Sequence, residues 1–83
     1  MKFVWRTVSS DLHVATLNDI HVARVSRPGP RSVWRIDVLG TRDFDRTFKH
    51  YDPTDLESTK SGAEARTKWA IECLYKSLQE PSP

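Results

Sequence analysis

The sequence predicts an α+β domain, in which an antiparallel sheet of four to five strands carries one C-terminal helix on one face. Residues 3–51 contain short β-branched and aromatic runs separated by turn-forming residues. Residues 62–79 contain no proline and repeat their apolar residues at helical spacing. Strands followed by one helix, in a chain of 83 residues, are typical of a single sheet packed against a helix.

The first three predicted strands are residues 3–8, 12–17 and 21–26. A Ser-Ser-Asp turn separates the first two. Asn18 and Asp19 separate the second and third, and both residue types tolerate the left-handed conformation of a tight turn. A meander of hairpins is the expected beginning of the sheet.

Residues 32–39 form the clearest predicted strand, after an Arg-Pro-Gly-Pro-Arg loop that cannot hold a sheet ladder. Its alternation places Trp34, Ile36 and Val38 toward the core. A turn at Gly40 and Thr41 and a returning strand over residues 44–51 are expected next. That last strand contains a conflict, because burying Phe44 and Phe48 on a regular strand also points Arg46 inward.

The helix is predicted to begin near Ser61, which is spaced from Glu64 as in a capping box. At 100° per residue, one apolar stripe forms the face expected to pack on the sheet: Ala63, Thr67, Ala70, Ile71, Leu74 and Leu78. We expect one domain over residues 1–80 and a frayed tail over residues 81–83.

Composition indicates a soluble cytoplasmic protein. No apolar run approaches the roughly 18 residues that span a bilayer, and the beginning lacks the apolar core of a signal peptide. The single cysteine, Cys73, cannot form an internal disulfide, as is typical of a reducing compartment.

The formal charge of +2 is distributed unevenly. Residues 1–51 carry nine Lys or Arg against five Asp, and residues 52–83 carry four against six acidic residues. The predicted basic surface comprises Arg24, Arg27, Arg31, Arg35, Arg42 and Lys49. Such a surface could engage nucleic-acid phosphates or an acidic protein, or its charges could simply pair with nearby aspartates in solvent.

Trp69 is the first candidate for a binding residue. It falls about 150° from the centre of the apolar stripe, beside Ala65, Cys73 and Lys76, so a straight helix leaves its indole outside the core. An exposed tryptophan among small and cationic neighbours is typical of a binding hot spot. The alternative is that the loop over residues 52–60 or the strand before it covers the ring.

Catalysis and metal binding have little support. Asp43, Asp45, His50 and Asp52 could form a divalent site, but they match no known ligand spacing, and aspartates also serve turns. Cys73 has no histidine at helical spacing. The chain has no glycine-rich phosphate loop. We therefore predict no enzyme activity, no metal and no cofactor.

Two family resemblances bear on function. Residues 60–74, KSGAEARTKWAIECL, resemble the closing helix of double-stranded RNA-binding domains, which implies phosphate contacts from its beginning, where Lys60 stands. The stretches MKF and GTRDFDRT are similar to parts of a type I-F anti-CRISPR, and the order of strands and helix looks like that of small bacteriophage and prophage accessory proteins. This second resemblance implies a compact inhibitor that binds a host complex and blocks it without catalysis.

The preferred prediction is thus a non-enzymatic binding module, a phage-type inhibitor of a host protein complex in the host cytoplasm. The alternative is a nucleic-acid-binding domain that uses the arginine-rich strand face. Formation of a homodimer through the Trp69 region is a further alternative, because a small domain gains stability by burying a spare aromatic ring against its copy.

Overall fold

The computed structural model describes residues 2–42 and 52–79. In chain order these form strands and one helix: β1 Val4–Ser9, β2 Leu12–Leu17, β3 Ile20–Ser26, β4 Arg35–Val38, β5 Thr41–Arg42 and α1 Leu56–Gln79. Each strand pairs antiparallel with the next, so the sheet order is β1-β2-β3-β4-β5. The α+β prediction is confirmed. The predicted strand over residues 44–51, with its Arg46 conflict, and the predicted tail lie outside the described residues.

Tight turns join the hairpins. Asn18 and Asp19 have φ values of 49° and 65° between β2 and β3, which confirms the left-handed turn predicted there. Between β4 and β5 the left-handed residues are Leu39 and Gly40, at 51° and 78°. The turn therefore lies one residue before the predicted Gly40-Thr41, because Thr41 already pairs with Val38 in the sheet.

The sheet has one face against α1 and one face away from it. Residues directly opposite each other on neighbouring strands share a face. The face toward α1 holds a core that consists of Ala15, Val22, Ala23, Val25, Trp34, Ile36, Val38 and Ala63. Val22 joins it through a bulge, since the β2–β3 register shifts between Ala15 and Thr16 and leaves Val22 as an extra residue in β3.

Trp34, directly before β4, contacts three other segments of the chain. Its ring is 5.5 Å from the His13 ring, and the Arg27 guanidinium stacks on it at 4.3 Å. Its backbone N–H donates to the carbonyl of Pro53 (2.7 Å). The predicted burial of Trp34, Ile36 and Val38 is confirmed, while the strand itself is shorter than predicted.

The helix begins at Leu56, five residues before the predicted cap at Ser61. The cap is Asp55, whose carboxylate accepts the backbone N–H of Ser58 (2.9 Å) and so satisfies a donor that the first turn leaves unpaired. Ser61 is an exposed residue inside α1. The prediction of its capping role was wrong because Asp55 offers the same kind of cap earlier and nothing between the two interrupts a helix.

The helix packs on β3 and β4, and every buried residue of α1 lies in its first fifteen residues, 56–70. Thr59, Ala63 and Thr67 are completely buried there. The predicted stripe is confirmed at Ala63 and Thr67 but wrong at Leu74 and Leu78, which are 56% and 77% exposed. The 24 residues of α1 extend over about 36 Å, whereas the seven of β3, the longest strand described, extend over about 23 Å, so the helix projects beyond the sheet.

Candidate binding surfaces

The projecting segment of α1, residues 71–79, exposes an apolar surface. Ile71, Leu74, Tyr75 and Leu78 recur at positions i, i+3, i+4 and i+7, so they lie along one side of the helix, which we call the apolar side. Leu74, Tyr75 and Leu78 are between 56% and 77% exposed. Three large apolar side chains so exposed on adjacent turns are typical of an interaction site.

A second exposed side of α1 is formed by the predicted binding residues. Trp69 is 56% exposed, Cys73 and Lys76 are exposed, and Ala65 is partly buried. These residues lie within about 40° of Trp69 around the helix axis, whereas Leu74 is about 140° away. The structure therefore brings the predicted residues together as the Trp69 side and separates them from the apolar side.

Sequence reasoning assigned Leu74 and Leu78 to the core and so missed the apolar side. Helical periodicity is the same whether a stripe meets a sheet or solvent. The eight-residue strand predicted over residues 32–39 would extend over about 26 Å, enough for the roughly 24 Å of the stripe, whereas the observed β4 has only four residues. The length of the strands beneath the helix, rather than the pattern on the helix, therefore exposes Leu74 and Leu78.

The sheet face away from α1, here called the outer face, carries several arginines. Arg24 and Arg35 lie on it, as predicted, because they pair with Asp37 and Ser26 across β3 and β4. One nitrogen of Arg24, Nη2, is 3.4 Å from Asp37 Oδ2, while its side chain is 46% exposed. Arg6 also belongs to this face, because it pairs with Val14, which pairs in turn with Arg24.

The remaining predicted basic residues are placed differently. Arg27 does not belong to the outer face: its Nε donates to Asp11 Oδ1 (2.7 Å) and its guanidinium covers Trp34. Arg31 is exposed in the loop between β3 and β4. Arg42 is opposite Asp37 in the β4–β5 register, and Lys49 lies outside the described residues. Arg6 was missed, although alternation along β1 sets it on the face opposite Trp5.

Two shallow depressions that share His21 mark the outer face. The smaller, of about 160 Å³, is lined by His21, Val22, Ala23, Arg24, Asp37 and Gly40. The larger, of about 480 Å³, is lined by Val4, Arg6, Val14, Thr16, Asp19 and His21. Both are open to solvent. The larger combines Val4 and Val14 with the guanidinium of Arg6 and the imidazole of His21, as ligand sites often do, whereas Val22 and Ala23 of the smaller belong to the core.

His13 is a buried titratable group on the other face of the sheet, beneath the first half of α1. Its side chain is almost fully covered, and Nδ1 shares a hydrogen bond with Thr7 Oγ1 (3.1 Å). Burial lowers the pKa of His13 below its ordinary value of 6.5, and the nearby Lys60 ammonium lowers it further. The neutral imidazole therefore belongs to the packing of the fold.

The acidic candidates for metal binding are only partly described. In residues 2–42 and 52–79, no group of three or more His, Cys, Asp or Glu residues could hold a metal ion. Asp52 Oδ1 accepts the hydroxyl of Thr54 (2.6 Å) and its backbone N–H (2.9 Å), and these bonds lower the pKa of Asp52. Asp43, Asp45 and His50 lie outside the described residues.

The chain was compared with protein families, curated protein sequences and solved structures. No protein family, curated protein sequence or solved structure matches this chain. Among the described residues, no helix combines the length and apolar character that crossing a membrane requires.

Proposed function

We propose that this chain is a non-enzymatic protein-binding module whose projecting helix segment docks into an apolar groove of its partner. The observation that carries the proposal is the apolar side of α1, where Leu74, Tyr75 and Leu78 remain more than half exposed. An amphipathic helix that presents anchors at i, i+3, i+4 and i+7 is a recurring mode of peptide and protein recognition. The anchors lie on a continuation of the same helix that residues 56–70 fix to the sheet.

The absence of catalysis is part of the proposal. Among the described residues, several polar groups that chemistry could use are engaged within the fold: His13 with Thr7, Asp11 with Arg27, Arg24 with Asp37, and Asp52 with Thr54. Cys73 is an exposed thiol on α1. Such an arrangement supports binding rather than turnover.

The partner class that we propose is a host protein complex, and the proposed role is that of a phage-type inhibitor. This part of the proposal rests on the similarity of MKF and GTRDFDRT to an anti-CRISPR and on the order of strands and helix. A domain that carries a preformed helical anchor could cover a functional surface of such a complex without chemistry.

The test compares two charge-matched substitutions on the projecting segment. Immobilised wild-type protein, Leu74→Glu and Gln79→Glu are each incubated with bacterial lysate, and recovered proteins are then purified and titrated by calorimetry. Leu74→Glu places a charge on the apolar side, while Gln79→Glu places the same charge on the last turn, about 140° from Leu74 around the helix axis. We expect a stoichiometric partner that Gln79→Glu retains and Leu74→Glu loses, with affinity reduced at least about 100-fold, as for a hot-spot anchor.

A third variant, Trp69→Ala, distinguishes the two exposed sides of α1. Retained binding assigns docking to the apolar side. Loss of the partner with Trp69→Ala, but not with Leu74→Glu, would instead assign it to the Trp69 side. A partner that all three variants retain, or the recovery of none, contradicts the proposal that α1 carries the binding function.

A further inference from the structure

The outer face of the sheet is a second surface, separate from the proposed docking segment. Cross-strand pairing sets Arg6, Val14, Arg24 and Asp37 in one row across β1 to β4. Arg6 and Arg24 therefore flank Val14 on neighbouring strands, with their backbones about 10 Å apart. The β4–β5 register extends the row to the position of Arg42.

The charges of this face are unbalanced. Its strand residues include Arg6, Arg24 and Arg35 against the carboxylate of Asp37, and Asp19 of the β2–β3 turn adds a second carboxylate beside the larger depression. Asp37 is buried and contacts Arg24, so it does little to neutralise the other two. Within the part of the chain that the structure describes, neither Arg6 nor Arg35 forms an ion pair, and both are exposed. Arg6 of the row and Arg35 beside it are thus uncompensated, and exposed cations of this kind attract a polyanion.

The chemistry of the face also restricts the kind of polyanion. Proteins that hold single strands stack bases on aromatic rings. In residues 2–42 and 52–79, every Phe, Tyr and Trp lies elsewhere, either on the core side of the sheet or on α1: Phe3, Trp5, Trp34, Trp69 and Tyr75. Arginines around a floor of valine and threonine suit a ligand whose charge is outside and whose bases are hidden, which describes a duplex.

From this row of cations and the two depressions beside it we infer that the outer face binds the phosphate backbone of duplex nucleic acid. Binding is electrostatic and independent of sequence, since the described residues of this face lie on a sheet of paired strands, with no helix among them that could enter a groove and read base edges. The proposed protein partner would engage α1, on the opposite side of the sheet. The domain would then hold a protein and a duplex at the same time.

Fluorescence anisotropy with a labelled 20-base-pair duplex tests the inference. We expect dissociation constants of about 10⁻⁴ to 10⁻⁶ M, and a loss of about 10- to 40-fold in affinity between 50 and 200 mM salt, as two or three phosphate contacts imply. Arg6→Ala and Arg35→Ala should each reduce the logarithmic salt slope by about one. The double variant should reduce binding further than either single variant.

The matched control is Lys68→Ala/Lys76→Ala, which removes the same charge from the exposed surface of α1 and should leave the affinity within about twofold. Circular dichroism of every variant verifies the fold. Four results would overturn the inference: an equal loss in the control, tighter binding of a single strand than of the duplex, equal displacement by polyglutamate, which would indicate an acidic protein ligand, or no binding at 50 mM salt. Leu74→Glu should bind the duplex normally, so failure here and failure of the protein-binding proposal are distinguishable.

Discussion

The two halves of α1 have the same apolar periodicity and opposite environments. In residues 56–70 the small side chains of Ala63 and Thr67 are completely buried against the sheet. In the projecting segment, the larger Leu74 and Leu78 are more than half exposed. An apolar stripe therefore sets the direction in which side chains point around a helix, but it does not set whether those side chains are buried. Burial depends on how far the supporting strands extend beneath the helix.

The largest expected effect is a contrast between one buried and one projecting position. Ala63→Asp should lower the free energy of unfolding by about 3 kcal/mol or more, because it places an unpaired carboxylate in the core. Leu74→Asp should cost less than about 1 kcal/mol, mostly through helix propensity. Urea denaturation of both variants provides the measurement, and similar losses would contradict the division of the helix into two halves.

A pH dependence should report on the packing beneath the first half. Because the folded-state pKa of His13 lies below 6.5, the unfolded chain takes up its proton first as the pH falls. The free energy of unfolding should therefore be unaffected by His13 well above pH 6.5 and should decrease below it. One proton contributes at most about 1.4 kcal/mol per pH unit.

Denaturation curves between pH 8 and pH 5 measure this effect. His13→Gln should flatten the profile over that window. His21→Gln, which makes the same substitution at an exposed histidine of the outer face, is the comparison variant. A slope that His13→Gln leaves unchanged would assign the pH dependence to other groups.

The beginning of α1 offers a comparison between the actual and the predicted cap. Asp55→Ala should lower the free energy of unfolding by about 1 kcal/mol, since it removes the acceptor of the Ser58 N–H. Ser61→Ala should raise it by about 0.3–0.5 kcal/mol, because Ser61 is an exposed interior position where alanine has the better helix propensity. Thermal unfolding of the two variants should give shifts of opposite sign.

The last comparison removes the end of the projecting segment. A chain that ends at Cys73 should unfold within about 5 °C of the full chain, because Leu74, Tyr75 and Leu78 contribute little burial. The same truncation should abolish binding of the protein partner. A larger loss of thermal stability would show that these residues cover part of the core.

Local patterns were sufficient for much of the fold. Alternation identified Trp34, Ile36 and Val38 as core residues, and the Asn18-Asp19 pair identified a turn with positive φ. The cap was misplaced although its signal was local, since Asp55 is as good a capping residue as Ser61. The Trp69 side was also found from helical spacing alone, because it depends only on angles within one helix.

The candidate binding surfaces depend on strand pairing and on packing between distant parts of the chain, which no local pattern contains. From the sequence, Arg27 and Arg35 were assigned to the same basic surface. In the structure, Arg27 stacks on Trp34 and binds Asp11, while Arg35 remains exposed. Arg6 joins the outer-face row only because the β1–β2–β3 register aligns it with Val14 and Arg24. Pairing register and loop packing decide such cases, and both are long-range.

The sequence was enough to predict the strand alternation, the left-handed hairpin turn and the amphipathic helix, because each follows from the conformational preferences and spacing of neighbouring residues. The folded molecule was needed to show where the sheet ends beneath α1, and therefore that Leu74 and Leu78 are exposed rather than part of the core. It also decided which arginines form the row on the outer face. The physical reason is the same in both cases: burial and ion pairing depend on what another part of the chain places opposite a residue.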